Sequence, residues 1–564
     1  MFCSDPLGQC LFSRAKSPDE GIPIMVVDEE IYRKLPALLI ATVDKFAQMP
    51  WKGETQMLFG QVNGECPRHG FRSPEIEDAM THNKRESLPA VKSQAHGPLR
   101  PPDLIIQDEL HLISGPLGTL VGLYETAVDE MSCWTVRGKR VRPKVIASTA
   151  TIRRANSQVK QLFLRSVEIF PPQGTDVRNN FFSVQRAPSE QYPGRRYLGI
   201  CAPGKRIKSA IIRCYVAHLA AAQVLYEKYG KHADPWMTLL GYFNSLRELG
   251  GARRLVDDSV RSLLRETVRR GLANRKKPLV KELTSRMGAS DIPDILDLLE
   301  VRFDPEDEKQ RKELQKAGKD FEKPLPVDAL LATNMVSVGV DVKRLGLMVV
   351  AGQPKTTAEY IQATSRVGRS TPGFVCTIYN WARPRDLSHY ERFEHYHATF
   401  YQHVEGLSVT PFASRALDRG LSAVLVTLIR LATDKFNPNA AAAILDRNDP
   451  TVKRAIQQIV KRAEQVSGKK EEGERVRKML NQRIDFWMAR AQRPTGGNIL
   501  GYQPSKDGVT PGLLERPGVG PWELFTCLTS LREVEPTVGL ILDDRGLDQD
   551  YTVKANVVTE GESK

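Results

Sequence analysis

Unbroken apolar runs of about four to seven residues recur along the first two-thirds of the chain, and amphipathic stretches follow most of them. Residues 37–43, 103–107 and 144–148 are runs of this kind, with helical periodicity at 116–131 and 153–164. Such runs lack the alternation of a half-exposed strand, so they predict strands covered on both faces, and the helices between them predict a parallel sheet. The alternation restarts with strand-like 197–201, helix-like 207–228 and strand-like 237–243, 327–332, 345–351 and 373–378. Beyond about residue 385 the pattern turns helical almost throughout to 492, and the final stretch is rich in Gly and Pro. The expected organisation is a first α/β domain over 1–169, a linker at 170–196, a second α/β domain over 197–385 and a mainly helical region over 386–564. A polar, aperiodic insert at 63–102 interrupts the first domain.

Composition narrows the class. With 564 residues, 41% apolar and 26% charged, the chain can bury a large core, and neither global disorder nor a fibrous repeat fits. No stretch approaches 18 uninterrupted apolar residues, so no membrane-spanning helix is expected. The Met1-Phe2-Cys3-Ser4-Asp5 start has no basic n-region or apolar h-region, and eight scattered cysteines make no disulfide scaffold. A cytoplasmic, reducing setting is the expectation. Lys and Arg number 81 against 67 Asp and Glu, a net charge of +14, which favours a polyanionic partner such as nucleic acid.

Four short segments bring chemistry. Asp108-Glu109-Leu110-His111 follows the strand-like run 103–107, and the carboxyl ends of parallel strands are where such sheets bind ligands. A carboxylate pair there suits a nucleotide hydrolase, the first acid holding magnesium and the second polarising the attacking water. The same tetrapeptide would also serve as an acidic turn before a helix. Ser148-Thr149-Ala150-Thr151 lies at the end of the next strand-like run, where hydroxyls can relay hydrogen bonds or cap a helix. In the second half, residues 333–341 follow a strand; Gly339 would admit close backbone approach to a ligand and Asp341 adds an acceptor. Gln362, Arg366 and Arg369 fall at i, i+4 and i+7, so a continuous helix puts all three on one face. Paired guanidiniums suit a γ-phosphate, although a basic helix face is equally compatible with plain solvation.

In order and spacing these segments resemble the core of superfamily 2 helicases. Asp108–His111 looks like motif II of the DExH type, Ser148 and Thr151 like the coupling motif III, residues 333–341 like motif V and 362–369 like motif VI with its arginine fingers. Thr42-Val43-Asp44-Lys45-Phe46 looks like motif Ib, and Phe243-Asn244 falls where motif IV is expected. Residues 331–335 and 352–362, with Ser530-Leu531-Arg532-Glu533-Val534-Glu535-Pro536, are similar to the helicase subunit of the DISARM phage-defence system and its relatives. The resemblance implies two RecA-like parallel-sheet domains, ATP and magnesium as cofactors, and DNA as the nucleic acid. It implies catalytic roles for Asp108 (also the magnesium ligand), Glu109, Gln362, Arg366 and Arg369, and nucleotide contacts at Gly339 and Asp341. Nucleic-acid contacts are implied at Thr42, Asn244 and Thr333, and other defence-system subunits as partners.

One departure is plain. The family's phosphate loop, with Gly-Lys-Ser/Thr, should precede motif Ib, yet Gly138-Lys139-Arg140 and Gly204-Lys205-Arg206 lack the hydroxyl and lie after motif II. Only 41 residues stand before Thr42, too few for the strand, loop and helix. The expectation is therefore an incomplete first domain, from an N-terminally truncated helicase or one half of a split one, with a separate chain that supplies the phosphate loop as a candidate partner. The alternative is a non-catalytic nucleic-acid-binding or scaffold subunit. Finally, Cys66-Pro67-Arg68-His69 in the insert has metal-knuckle spacing, and Cys3 and Cys10 are candidates to complete a zinc site.

Overall fold

The structure, a computed structural model, describes residues 2–3, 10–18, 21–76, 78–85, 88–149, 155–172, 174–176, 178–273, 275, 278–284, 287–288, 291–321, 323–333, 341–406, 408–492, 499–505 and 510–532. The chain forms two compact units, one of residues 100–413 with 461–473, the other of 1–99 with 414–460 and 474–564. This grouping differs from the expected continuous domain over 1–169.

The 100–413 unit holds the predicted parallel strands. Strand β1 (Leu104–Gln107) is followed by helix α1 (Gly115–Met131), strand β2 (Lys144–Ala147) and helix α2 (Ala155–Phe163). β1 and β2 pair in parallel, from Leu104 opposite Lys144 to Gln107 opposite Ala147. α1 buries Leu120, Leu123, Tyr124 and Ala127, while the strand residues Leu104, Ile106 and Ile146 stay exposed. The sheet is thus two strands wide, and its apolar positions lack the second cover that their sequence anticipates.

After the 170–196 linker comes strand β3 (Arg195–Cys201), helix α3 (Ile207–Tyr229), strands β4 (Leu239–Phe243), β5 (Val280–Leu283), β6 (Ala329–Ala332) and β7 (Leu347–Ala351), helix α4 (Thr357–Thr364) and strand β8 (Gly373–Tyr379). The six strands form one sheet in the order β3-β8-β7-β4-β6-β5, every neighbouring pair parallel. Every residue of β4, β6 and β7 is buried, as their unbroken apolar runs require. One face packs on Ala210, Tyr215 and Leu219 of α3, the other on Tyr360 and Ala363 of α4. A Cβ on Gly241 would meet the Tyr215 hydroxyl at 2.0 Å, so only glycine lets α3 lie this close. The region Ile207–Met237 is long and apolar enough to cross a membrane by length and composition alone; here α3 covers the sheet.

A pH-sensitive group sits on the buried side of α1. Glu125 is 3% exposed, and burial pushes its carboxyl up to about 7 from an ordinary 4.5, against the partial pull of Arg462. Between those values the folded chain keeps a proton that the unfolded chain releases, so this group makes stability fall as pH rises through the window. Glu125→Gln is expected to raise the thermal midpoint at about pH 8 and to change it little at about pH 5. Equal effects at both pH values would refute the assignment.

In the other unit, residues 37–43 do not form the expected strand. No strand among the described residues pairs with them, and Leu38, Leu39 and Ile40 are exposed. The neighbouring helix Asp44–Gln48 is fixed through its first carboxylate, which accepts from Ser530 Oγ at 2.8 Å and Leu531 N at 2.9 Å. The insert is ordered rather than irregular. Strands Gly64–Cys66, Gly70–Arg72 and Gln94–Ala95 form an antiparallel sheet, and Thr81–His82 pairs with Val91–Lys92. The helices Ser414–Arg430 and Pro450–Ser467, with Lys470–Ala491, answer the helical periodicity of the C-terminal region.

Candidate active site

The acid pair stands where β1 ends. Ser148 N donates to Gln107 O at 3.0 Å and Leu110 N to Ser148 O at 2.9 Å, so the ends of β1 and β2 are laced together. Asp108 is exposed, and its Oδ1 accepts from Glu109 N at 2.9 Å and from the Ser148 hydroxyl in a short contact. Its other carboxylate oxygen, on an exposed strand end, is a hard donor of the kind magnesium takes, so the site fits that ion. Glu109 has φ 49°, in the left-handed region that non-glycine residues seldom adopt. That backbone costs about 1–2 kcal/mol, and it turns the chain abruptly into the short 3₁₀ segment Leu110–Leu112.

His111 is the hub. It is 6% exposed, with Nδ1 3.3 Å from Glu109 Oε2 and 3.4 Å from Thr149 Oγ1. Its Nε2 meets the side-chain amide of Gln362 on α4, in a short buried contact. The Gln362 amide nitrogen is a donor, so it offers its N–H to Nε2, while Nδ1 faces the Glu109 carboxylate. A residue on α4 is thereby linked, through one ring, to the Glu109 carboxylate at the end of β1.

The arginines are placed differently from expectation. Helix α4 ends at Thr364, so Gln362, Arg366 and Arg369 do not share a continuous helical face. Gly368 at φ +72° ends the run, its N–H donating to Leu345 O at 2.8 Å, and the chain turns toward β8. Arg366 is nonetheless within electrostatic reach of Glu109 and Asp341. Burial, then the like charge of Arg369, hold its guanidinium below the usual range. Arg369 pairs with Asp341 in a short contact, so the acceptor expected beside a nucleotide engages the expected finger.

The remaining expectations divide. Thr333 is buried at the end of β6, while Gly339 and Thr151 lie outside the described residues. Asn244 is turned inward: its Nδ2 donates to Ala351 O at 3.1 Å and sits 3.4 Å from the carbonyls of Gly352 and Gln353. That amide tethers the loop after β7, which corrects the expectation of a nucleic-acid contact there. Thr42 is exposed, in the unit that does not contain Asp108. In the insert, Cys66 Sγ and His69 Nδ1 are 3.7 Å apart, as the knuckle spacing predicts. Cys3 and Cys10 do not join them; the clustered third donor is His82, which strand pairing brings in and sequence spacing does not reveal.

Residues 289–371, from before β6 to just before β8, match the helicase conserved C-terminal domain. The chain is 44% identical over 447 residues to the DISARM protein DrmA of Bacillus paralicheniformis, covering 78% of this chain and 37% of that protein. It thus spans little more than a third of that relative's length. Among solved structures, the DUF1998 helicase MrfA bound to DNA and AMPPNP gives a TM-score of 0.41 at 13% identity, over 69% of this chain and 40% of that one. The Mycobacterium smegmatis helicase Lhr bound to ssDNA and AMP-PNP gives 0.35 at 13% identity, over 64% and 42%.

Proposed function

We propose that this chain, a superfamily 2 helicase related to DISARM DrmA, supplies the acid pair and arginines of an ATP-driven DNA translocase acting in phage defence. The observation that carries the reading is the Glu109–His111–Gln362 connection, buried at His111 and Gln362, with Arg366 in electrostatic reach of the same carboxylate. Such a connection lets the state of the hydrolytic carboxylate bias the packing of the second domain, which is what stepping along a strand needs. Asp108 would hold magnesium, which neutralises charge developing on the transferred phosphoryl group. Glu109 orients and polarises water, His111 holds Glu109, and Arg366 stabilises the growing negative charge from the other domain.

These 564 residues contain no Gly-Lys-Ser/Thr phosphate loop, so the reading requires that loop from outside them, in cis or on a partner chain. The same observation favours a second reading, a nucleic-acid-binding subunit without hydrolysis. Phosphate release by the chain together with a polypeptide carrying the loop, with and without DNA, separates the two. Arg366→Ala is expected to lower that turnover about 10³-fold or more. An unchanged rate in the variant would overturn the assignment of Arg366.

DNA binding itself is expected to rest on phosphate contacts, given the +14 charge. Affinity should then drop by orders of magnitude between about 50 and 200 mM salt. Titrations of single- and double-stranded DNA at both salt levels check this, and affinity indifferent to salt would contradict it.

A further inference from the structure

The insert brings together four donors from three separate segments. Cys66 ends the first strand of the Gly64–Cys66/Gly70–Arg72 hairpin, and His69 lies in its turn. Gly70, at φ +92°, closes the turn so near the helix Asp28–Lys34 that a Cβ would meet Arg33 O at 2.2 Å. His82 arrives on the Thr81–His82 strand, and the ligand atoms of Cys66, His69 and His82 all lie within 4.8 Å of one another. Asp78, outside that group of three, adds a carboxylate beside it, with Oδ2 3.2 Å from His69 Nδ1 and Oδ1 3.8 Å from His82 Nε2.

We propose that Cys66 Sγ, His69 Nδ1, His82 Nε2 and Asp78 form a structural zinc site that holds the insert together. Tetrahedral zinc places such atoms about 3.4–3.6 Å apart, given bonds near 2.0–2.1 Å to N and O and 2.3 Å to S. The observed 3.7 Å from Cys66 to His69 and 3.2 Å from His69 to Asp78 already lie near those values. The independent pointer is His82 Nε2. It is buried and has no hydrogen-bond partner among the described residues, and a buried ring nitrogen left so is costly. A metal ion is the partner that its position among a thiol, a second imidazole and a carboxylate supplies.

The surroundings support a site rather than an accidental cluster. Arg33 Nη1 bonds Asp78 Oδ2 at 3.0 Å, orienting the carboxylate from outside as metal sites commonly arrange. The buried Arg72 guanidinium donates to Asp78 O at 2.5 Å and Ala79 O at 3.0 Å, fixing the loop that presents Asp78. One thiolate and one carboxylate with two neutral imidazoles balance a dication, so the occupied site carries no net charge. The mixed donors and four-coordinate closure favour zinc over magnesium or calcium, which want oxygen. The insert adds only Phe71, Ile76 and Leu99 to a small core centred on Tyr32, Met57 and Val62 outside it, and small scaffolds commonly need a metal staple.

The test is metal analysis of the full 564-residue chain, purified without a metal-binding tag from zinc-supplemented cells and dialysed. About one zinc per chain is expected, lost in Cys66→Ser and His82→Asn and kept in the Cys3→Ser/Cys10→Ser double variant. Cobalt added to metal-free chain should give a thiolate-to-cobalt charge-transfer band, which Asp78→Asn weakens and the double variant leaves intact. That readout stands even where a cysteine variant fails to fold. A zinc-free purified chain that takes up no cobalt, zinc retained in His82→Asn, or zinc lost in the Cys3/Cys10 variant would each overturn the proposal.

Discussion

Arg430→Met is expected to destabilise the unit that contains it by about 3–5 kcal/mol, the usual cost of breaking a buried ionic network from one side. Arg430 is fully buried at the end of the helix Ser414–Arg430. Its Nη1 donates to Pro50 O at 3.0 Å and Trp51 O at 2.7 Å, and its Nε to Asn437 O at 3.1 Å. The guanidinium lies 4.4 Å over the Tyr502 ring, and the Glu75 carboxylate is 3.1 Å from Nη2 as a counter-charge outside hydrogen-bond geometry. Methionine fills the volume and restores none of these contacts, taking the Arg430 donor from the Pro50 and Asn437 carbonyls and leaving Glu75 uncompensated, while Trp51 O keeps its bond from Gln503 Nε2. The loss should be visible as a lowered urea midpoint by tryptophan fluorescence, since Trp51 and Trp487 belong to the same unit. Lysine should rescue little, because a point charge cannot serve carbonyls on two sides of a planar fork. A midpoint within error of the natural chain would show that the network adds nothing to stability.

That network also shows what a sequence conceals. The strands β4, β6 and β7 were legible because complete burial demands unbroken apolar runs, and the acid pair because a strand end is marked by its own run. Arg430 carried no such mark: a cation closing an apolar helix looks like any solvated last turn. The strand β5 was missed because Lys281 and Glu282 interrupt it within a basic segment, although Val280 and Leu283 are buried. The end of α4 was missed for a different reason. Helical spacing extrapolates smoothly through Arg369, whereas the helix stops at Thr364 and the chain turns away at Gly368, whose N–H bonds Leu345 O. His82 was invisible as a neighbour of Cys66, since it does not sit at knuckle spacing and arrives on a paired strand. In the candidate site the identities of Asp108, Glu109, His111 and Gln362 could be read, but their joining could not. The His111–Gln362 contact spans 251 positions, and nothing local encodes it.

The second large effect concerns hydrolysis. These 564 residues alone are expected to release no phosphate from ATP in response to DNA, and Glu109→Gln is expected to abolish release once a phosphate loop is supplied. A phosphate loop directs several backbone N–H groups and a lysine at the β- and γ-phosphates, and its hydroxyl at magnesium. Arg366 and Arg369 sit on the second domain and can complete only a nucleotide already held by the first, so they cannot replace that cradle. With the cradle present, the glutamine keeps the shape of Glu109 and its place near His111 Nδ1 but cannot accept a proton from water. Its loss removes an interaction made in the transition state and not in the ground state, so turnover should fall about 10²–10⁴-fold while nucleotide affinity holds. Phosphate release and fluorescent-nucleotide binding, measured on the same preparation, read the two quantities separately. Stimulated turnover by the chain alone would mean that a phosphate cradle exists in it without the Gly-Lys-Ser/Thr sequence. Turnover undiminished in Glu109→Gln would mean that another group activates the water, and the strained backbone at Glu109 would then lack the role assigned to it.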